Sequence, residues 1–378
     1  MATTSAKMQE LRRATNPLFN DRKLKLGTFC TNLSGGCAIT TMPGTLEVTW
    51  PNTVRLAQLA DEMQFEALVP VGRWRGFGGV TNFNGAGFEC FSWAAGIGAS
   101  TKYSAVFATS HIPTIHPIMA AKQATVIDHI SGGRHAINIV AGWYRTELEM
   151  FGVPMIDHDA RYDMAAEWIE IMMKLWTLEE DFDYDGKYYQ VKRGTLAPKP
   201  IQRPYPAIMN AGGSGKGQHF SAKYSDIAFI QFDYHDIEFA KKKVETYKRL
   251  AREEYGRDLK VWSFGYVVQR ETEKAAKDFL HHYVHEKGDW VAAGNLIEML
   301  GLNSLAVEPG AFEKLKAHFM AGWGAFPLVG TKEQIVDGLA ALASTGIDGA
   351  LLSWPLYEEG MLAFQKETLP LLKQAGLR

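Results

Sequence analysis

Residues 117–140, PIMAAKQATVIDHISGGRHAINIV, contain one whole repeat of the fold. Pro117 stands at the first turn of a helix, where a missing N–H costs nothing. The helix runs to Ile130, and Ser131-Gly132-Gly133 supplies its stop. HAINIV (135–140) then reads as a strand buried on both faces, the pattern of a parallel sheet covered by helices.

Outward from this unit the same alternation recurs. Upstream lie the apolar runs KLGTFCT (25–31), ALVPV (67–71) and SAVFAT (104–109), with helices over about 53–63 and near Phe91–Ile97. Downstream come a long helix, Met164–Trp176, and further strands at Ala207–Asn210, Ile227–Ile230, Trp262–Val268 and Ala350–Ser353. Eight strand candidates each followed by a helix predict an α/β chain of the (β/α)8 TIM-barrel class. A doubly wound sheet would want a Gly-rich phosphate turn after its first strand, and NLSGGC (32–37) is a poor one. The expected organisation is a flexible N-terminal arm over 1–22 and a single barrel domain over 23–378. Two insertions are expected, a hairpin near 182–193 with Asp185-Gly186 at its turn and a second segment near 282–325 that fits no clean unit.

The 378 residues are 46% hydrophobic and 22% charged, an ordinary globular composition with ample material for a core. Forty basic against 42 acidic residues leave a net charge of −2 and no basic stripe, which excludes a nucleic-acid footprint. The polar start MATTSAKMQELRR lacks a signal-peptide core, and no apolar run approaches the length of a membrane span. These features predict a cytoplasmic protein with no membrane partner. Three cysteines, Cys30, Cys37 and Cys90, support neither a disulfide framework nor a paired zinc knuckle.

Several tempting motifs fail. NAGGSGKG (210–217) misses the phosphate-loop pattern at its first glycine and after Lys216. It is no nucleophile elbow either, because Lys216 stands where glycine is needed. His281 and His285 are four apart but have no third ligand, so they read as a solvated helix face, and no metal site is expected.

The remaining polar residues gather at strand C-terminal ends, where a barrel carries its chemistry. Gly72-Arg73-Trp74-Arg75-Gly76-Phe77 follows the second strand, and two arginines beside a tryptophan are more than packing requires. The third strand ends at Thr109, with His111 and His116 just beyond. Each histidine is either a proton donor or base, or a satisfied core residue. Asn138 interrupts an apolar strand and must have its amide satisfied, by a structural bond or by a ligand. Small residues around Gly213 and Ser214 let backbone N–H groups approach an anion at a helix start. Arg161 beside Tyr162 fits either a phosphate contact or a surface ion pair. Together these point to a phosphorylated planar ligand at the barrel mouth. No catalytic dyad or metal set accompanies it, so the chemistry belongs to a cofactor.

With these residues in view, the chain resembles the bacterial-luciferase-like flavin-dependent monooxygenases. WRGFGG (74–79) and IDHISGGRHAINIVAGW (127–143) are similar to the pyrimidine oxygenases. INIVAGWYRTELEMFG (137–152), HDARYDMAAEWI (158–169) and LAPKPIQRP (196–204) are as similar to the dimethylsulfone monooxygenases. Beyond residue 240 the resemblance continues only in LVGTKEQI (328–335) and GIDGALL (346–352). It implies a TIM barrel that binds FMN as FMNH2, delivered by a separate NAD(P)H-dependent flavin reductase, and that activates O2 as a flavin peroxide. The family's flavin contacts fall on Gly72, Arg73, Asn138, Glu147, Arg161, Tyr162 and Ser214, with Thr109 and Asn138 at the oxygen-reacting edge. Trp74, Phe77 and Trp143 are the expected walls of a dry substrate pocket. The chain departs from the pyrimidine oxygenases at Gly72-Arg73, Ala141 and Tyr144. The expected activity is FMNH2-dependent oxygenation or cleavage of a small heterocycle, aromatic or sulfone by a homodimer or homotetramer. The alternatives are an alkanesulfonate-type monooxygenase, an F420-dependent barrel oxidoreductase and a non-catalytic flavin-binding protein.

Overall fold

A computed structural model describes residues 12, 14–232, 236–302 and 310–378. Its strands are β1 (Lys25–Phe29), β2 (Ala67–Val69), β3 (Ala105–His111), β4 (His135–Val140), β5 (Phe182–Asp185), β6 (Gln190–Gly194), β7 (Ala207–Asn210), β8 (Ile227–Phe229), β9 (Lys260–Gln269), β10 (Phe326–Gly330) and β11 (Gly349–Ser353). Neighbour follows neighbour through β1, β2, β3, β4, β7, β8, β9 and β11, and β11 pairs with β1 again. These eight are the apolar runs picked out in the sequence, and the fold class is the (β/α)8 barrel. The ninth member of the sheet, β10, was not expected. It pairs with the far half of β9, Gly265–Gln269, while the nearer stretch Trp262–Tyr266 pairs with β11. A ten-residue strand is long enough to serve both partners.

The chain divides into two compact units. One comprises Met1–Asp21, Glu89–Phe229 and Tyr247–Lys260. In it β3 and β4 run in register, with Thr109 opposite Asn138 and Val106 opposite His135, and β7 continues the sheet from β4. The helix Pro117–Ile130 ends as its sequence indicates, with Gly132 and Gly133 at φ of 67° and 85°, the left-handed region that glycine enters freely. Arg134 follows them, buried, with its guanidinium spread over the carbonyls of Gly98, Thr101, Ser104 and Ser131. The hairpin β5–β6 forms where Asp185-Gly186 announces it, and Gly186 opens the connection. Of the expected flexible arm, residues 1–11 and 13 lie outside the described ones. Arg12 grips Asp226 through two 3.0 Å hydrogen bonds, and Asn16, Pro17 and Leu18 are buried.

The other unit comprises Arg22–Phe88, Ile230–Thr246 and Val261–Arg378. Here the fully buried Glu66 carboxylate pairs with Arg22 at 2.6 Å and Arg378 at 2.5 Å, and accepts the Leu26 N–H at 2.8 Å. A charge taken out of water needs such partners. The segment expected as an irregular insertion carries, among the described residues, a π-helical turn His282–Glu286 and the α-helices Trp290–Met299 and Ala311–Gly322, and its residues 303–309 lie outside the described ones. His281 and His285 stack ring on ring, centroids 4.8 Å apart, and no metal-binding cluster occurs among the described residues. All three cysteines are buried thiols. No helix among the described residues is long and apolar enough to cross a membrane.

His135 gives the fold a pH dependence. It is fully buried on β4, and its Nδ1 donates to the Val106 carbonyl at 3.0 Å, so the folded ring is neutral. Burial pulls its pKa from 6.5 to about 4. The unfolded chain therefore binds this proton first. Stability from this group is complete above pH 6.5 and is lost as pH falls towards 4, at about 1.4 kcal/mol per unit. Urea unfolding at pH 7 and pH 5 should show wild type losing about 2 kcal/mol more than His135→Gln. Equal losses would mean His135 is not the titrating group.

Candidate active site

The unit containing β3 and β4 gathers most of the polar residues singled out in the sequence. Because Thr109 and Asn138 are opposite in parallel register, their side chains emerge on the same face, and Asn138 Nδ2 donates to Thr109 Oγ1 at 3.2 Å. Both are nearly sealed, at 8% and 6% exposure. Asn138 Oδ1 is buried and has no hydrogen-bond partner among the described residues. An unmet buried acceptor costs about 1–3 kcal/mol, so Asn138 Oδ1 is open to a donor from water or a ligand.

Two residues past Thr109, His111 Nδ1 lies 3.8 Å from Glu147 Oε2, and both groups are buried. His116 is placed differently. It is exposed, its Nδ1 accepts the Ile118 N–H at 3.3 Å, and its ring meets Tyr189 at 5.6 Å. It caps the helix Pro117–Ile130, and partial burial lowers its pKa. It is therefore not a core histidine.

After β7 the chain narrows to Asn210-Ala-Gly-Gly-Ser-Gly and enters the helix Gly215–Tyr224. Asn210 anchors the turn, donating to the Ile139 carbonyl at 2.7 Å and accepting from Ser221 Oγ at 2.8 Å. Ser214 caps the helix by accepting the Gly217 N–H at 3.1 Å. A methyl group on Gly213 or Gly215 would meet no atom within 4 Å, whereas one on Gly212 would strike the Gly217 carbonyl oxygen at 2.5 Å. The turn is thus tight on its inner side and open on the outer one. The Tyr162 hydroxyl bonds to Ser214, and burial raises its pKa, which keeps it protonated. Its neighbour Arg161 donates to the Gly142 carbonyl, and the Arg161 Nε is buried without a partner among the described residues. Trp143 stacks on the buried Tyr144 at 5.6 Å.

The remaining candidates belong to the other unit. Arg73 lies over the Phe77 ring, 4.8 Å from its centroid. Phe77 is buried against Phe83 and Trp323, with centroids 6.2 Å and 6.3 Å away. The Phe77 carbonyl accepts from Asn295 Nδ2 at 2.7 Å, and Asp289 accepts from the N–H and hydroxyl of Thr81, so the loop after Gly72 is anchored at two points. Trp74 is 44% exposed.

Sequence reading missed Tyr247. Fully buried on the helix Ile237–Tyr255, it donates its hydroxyl to the Gly212 carbonyl at 2.7 Å. The only signal was the apolar stripe Ala240, Val244, Tyr247, Ala251, which says core and nothing more.

The family model for luciferase-like monooxygenases matches residues 25–349. An FMNH2-dependent dimethylsulfone monooxygenase of Pseudomonas putida is 27% identical over 357 residues, covering 93% of this chain and 96% of its own. Pyrimidine monooxygenase RutA of Klebsiella pneumoniae is 29% identical over 357 residues, with the same coverage. Among solved structures, a riboflavin lyase holding a modified FMN and riboflavin superposes with a TM-score of 0.82. At 21% identity it covers 94% of this chain and 92% of its own, and this likeness speaks to the fold. The chain belongs to the luciferase-like monooxygenase family.

Proposed function

We propose that the protein is a two-component monooxygenase. It takes FMNH2 from a separate NAD(P)H-dependent flavin reductase and places one atom of O2 into a small organic substrate, the other leaving as water. Bound FMNH2 supplies the two electrons that this reaction requires. The observation that carries the reading is the unmet Oδ1 of Asn138. One of the two N–H groups of the amide is given to Thr109, and the Oδ1 is left as an acceptor for a ligand. Reduced flavin carries an N–H at N5 that this acceptor can take, whereas oxidised flavin carries an acceptor there.

The other residues fit the rest of the cofactor. The Ser214–Tyr162 pair, the open face at Gly213 and Gly215 and the cationic Arg161 offer a phosphate one hydroxyl proton, backbone N–H groups and charge. The Thr109 and Asn138 side chains orient O2 and stabilise the charge that develops on it. His111, beside Glu147, holds the proton that leaves with the second oxygen atom. Trp143 keeps water from the reacting atoms.

The test is turnover of uracil, dimethylsulfone, an alkanesulfonate and a chlorinated aromatic with FMN, a reductase and 18O2. One substrate should acquire a single 18O atom, dependent on both the protein and FMN. Hydride transfer to or from F420 in place of oxygen incorporation would overturn the reading.

A further inference from the structure

We propose that Tyr247 is the positioning residue of the phosphate cradle, acting through Gly212 and never touching the cofactor. The inference rests on the flavin reading above and adds to it a residue far away in sequence. It comes from counting protons on three hydroxyl groups. Tyr247 has one, and the Gly212 carbonyl takes it at 2.7 Å across 35 residues of chain. Burial raises the Tyr247 pKa, so that proton stays in place at any pH where the protein functions. Tyr162 and Ser214 have two between them, and their mutual hydrogen bond uses one. Ser214 Oγ accepts the Gly217 N–H as well, which consumes a lone pair and no proton. One O–H of the pair is left over for an outside acceptor. Tyr247 therefore has nothing to give a ligand, while the Tyr162–Ser214 pair has one donor to give.

What Tyr247 does is fix the turn that aims this donor. Ala211-Gly212-Gly213-Ser214-Gly215 contains three glycines, the residues that lose most backbone freedom on ordering. The turn is pinned from beneath by Asn210 and closed by Gly217. Between these points the Gly212 carbonyl is held by Tyr247 alone among the hydrogen bonds the structure shows for it. Losing that donor leaves a buried carbonyl unmet and loosens the turn at Gly212, just before Gly213 and Ser214, whose carbonyls Gln218 still holds and whose open face is where the phosphate would sit.

Tyr247→Phe removes the proton and keeps the ring, so packing is preserved. Titrations of wild type and variant with FMN, riboflavin and inorganic phosphate read the effect. FMN affinity should fall about tenfold, riboflavin affinity should change less than about threefold, and inorganic phosphate should no longer compete with FMN. In a double-mutant cycle, Tyr247→Phe should cost less in a Ser214→Ala background, because both act on one contact. Equal losses for FMN and riboflavin would make Tyr247 an ordinary structural tyrosine and overturn the proposal, as would strict additivity with Ser214→Ala. If wild type itself shows no preference for FMN over riboflavin, the failure lies with the flavin-phosphate reading.

Discussion

Replacing Asn138 with alanine, or Thr109 with valine, should lower product formation about a hundredfold or more while leaving FMN affinity within about tenfold. The separation of the two effects follows from where the residues lie. Asn138 and Thr109 are bonded to each other at the ends of adjacent strands, with one acceptor of Asn138 left over. In the proposed site they would face the reacting edge of the cofactor, whereas affinity would come largely from its phosphate. Preorganised groups of this kind act on charge that exists only during reaction, and removing one typically costs two to three orders of magnitude. Without them FMNH2 is still consumed by O2, but hydrogen peroxide is released in place of oxygenated product. The ratio of product to hydrogen peroxide in both variants decides the matter. Undiminished coupling would return the pair to the ordinary polar core and shift attention to His111.

Arg161→Ala and Ser214→Ala should each weaken FMN about ten- to a hundredfold and riboflavin far less. A charge-assisted hydrogen bond is worth about 1.5–3 kcal/mol, and only FMN bears the group that receives it. Ser214→Ala also removes a helix cap, a loss of about 1 kcal/mol that falls on stability whichever ligand is bound. Riboflavin is the control that separates the two effects. If both ligands weaken alike, the phosphate is bound elsewhere.

The barrel was legible because its strands are short apolar runs bounded by clear stops, and 117–140 displays the whole pattern. The strand β10 was not, because FPLVG includes a proline and follows a stretch with no periodic signal. Thr109 and Asn138 could be paired from sequence since each closes or interrupts a recognisable strand, and parallel register does the rest. His116 could not be assigned, because a histidine before proline reads equally as a cap or as a site residue until its Nδ1 is seen on the Ile118 N–H. Tyr247 was hidden for a different reason. Its place in an apolar stripe explains its burial completely, and only the folded chain shows that its hydroxyl meets a glycine 35 residues away.

The central claim is that this chain is built to hold reduced flavin. The most direct measurement is an anaerobic titration of the protein with FMNH2, set beside the same titration with oxidised FMN. The acceptor left on Asn138 and the need to collect flavin from a reductase both predict tighter binding of FMNH2, with Asn138→Ala narrowing the difference. Equal affinities for the two redox forms, or tighter binding of oxidised FMN, would contradict the account.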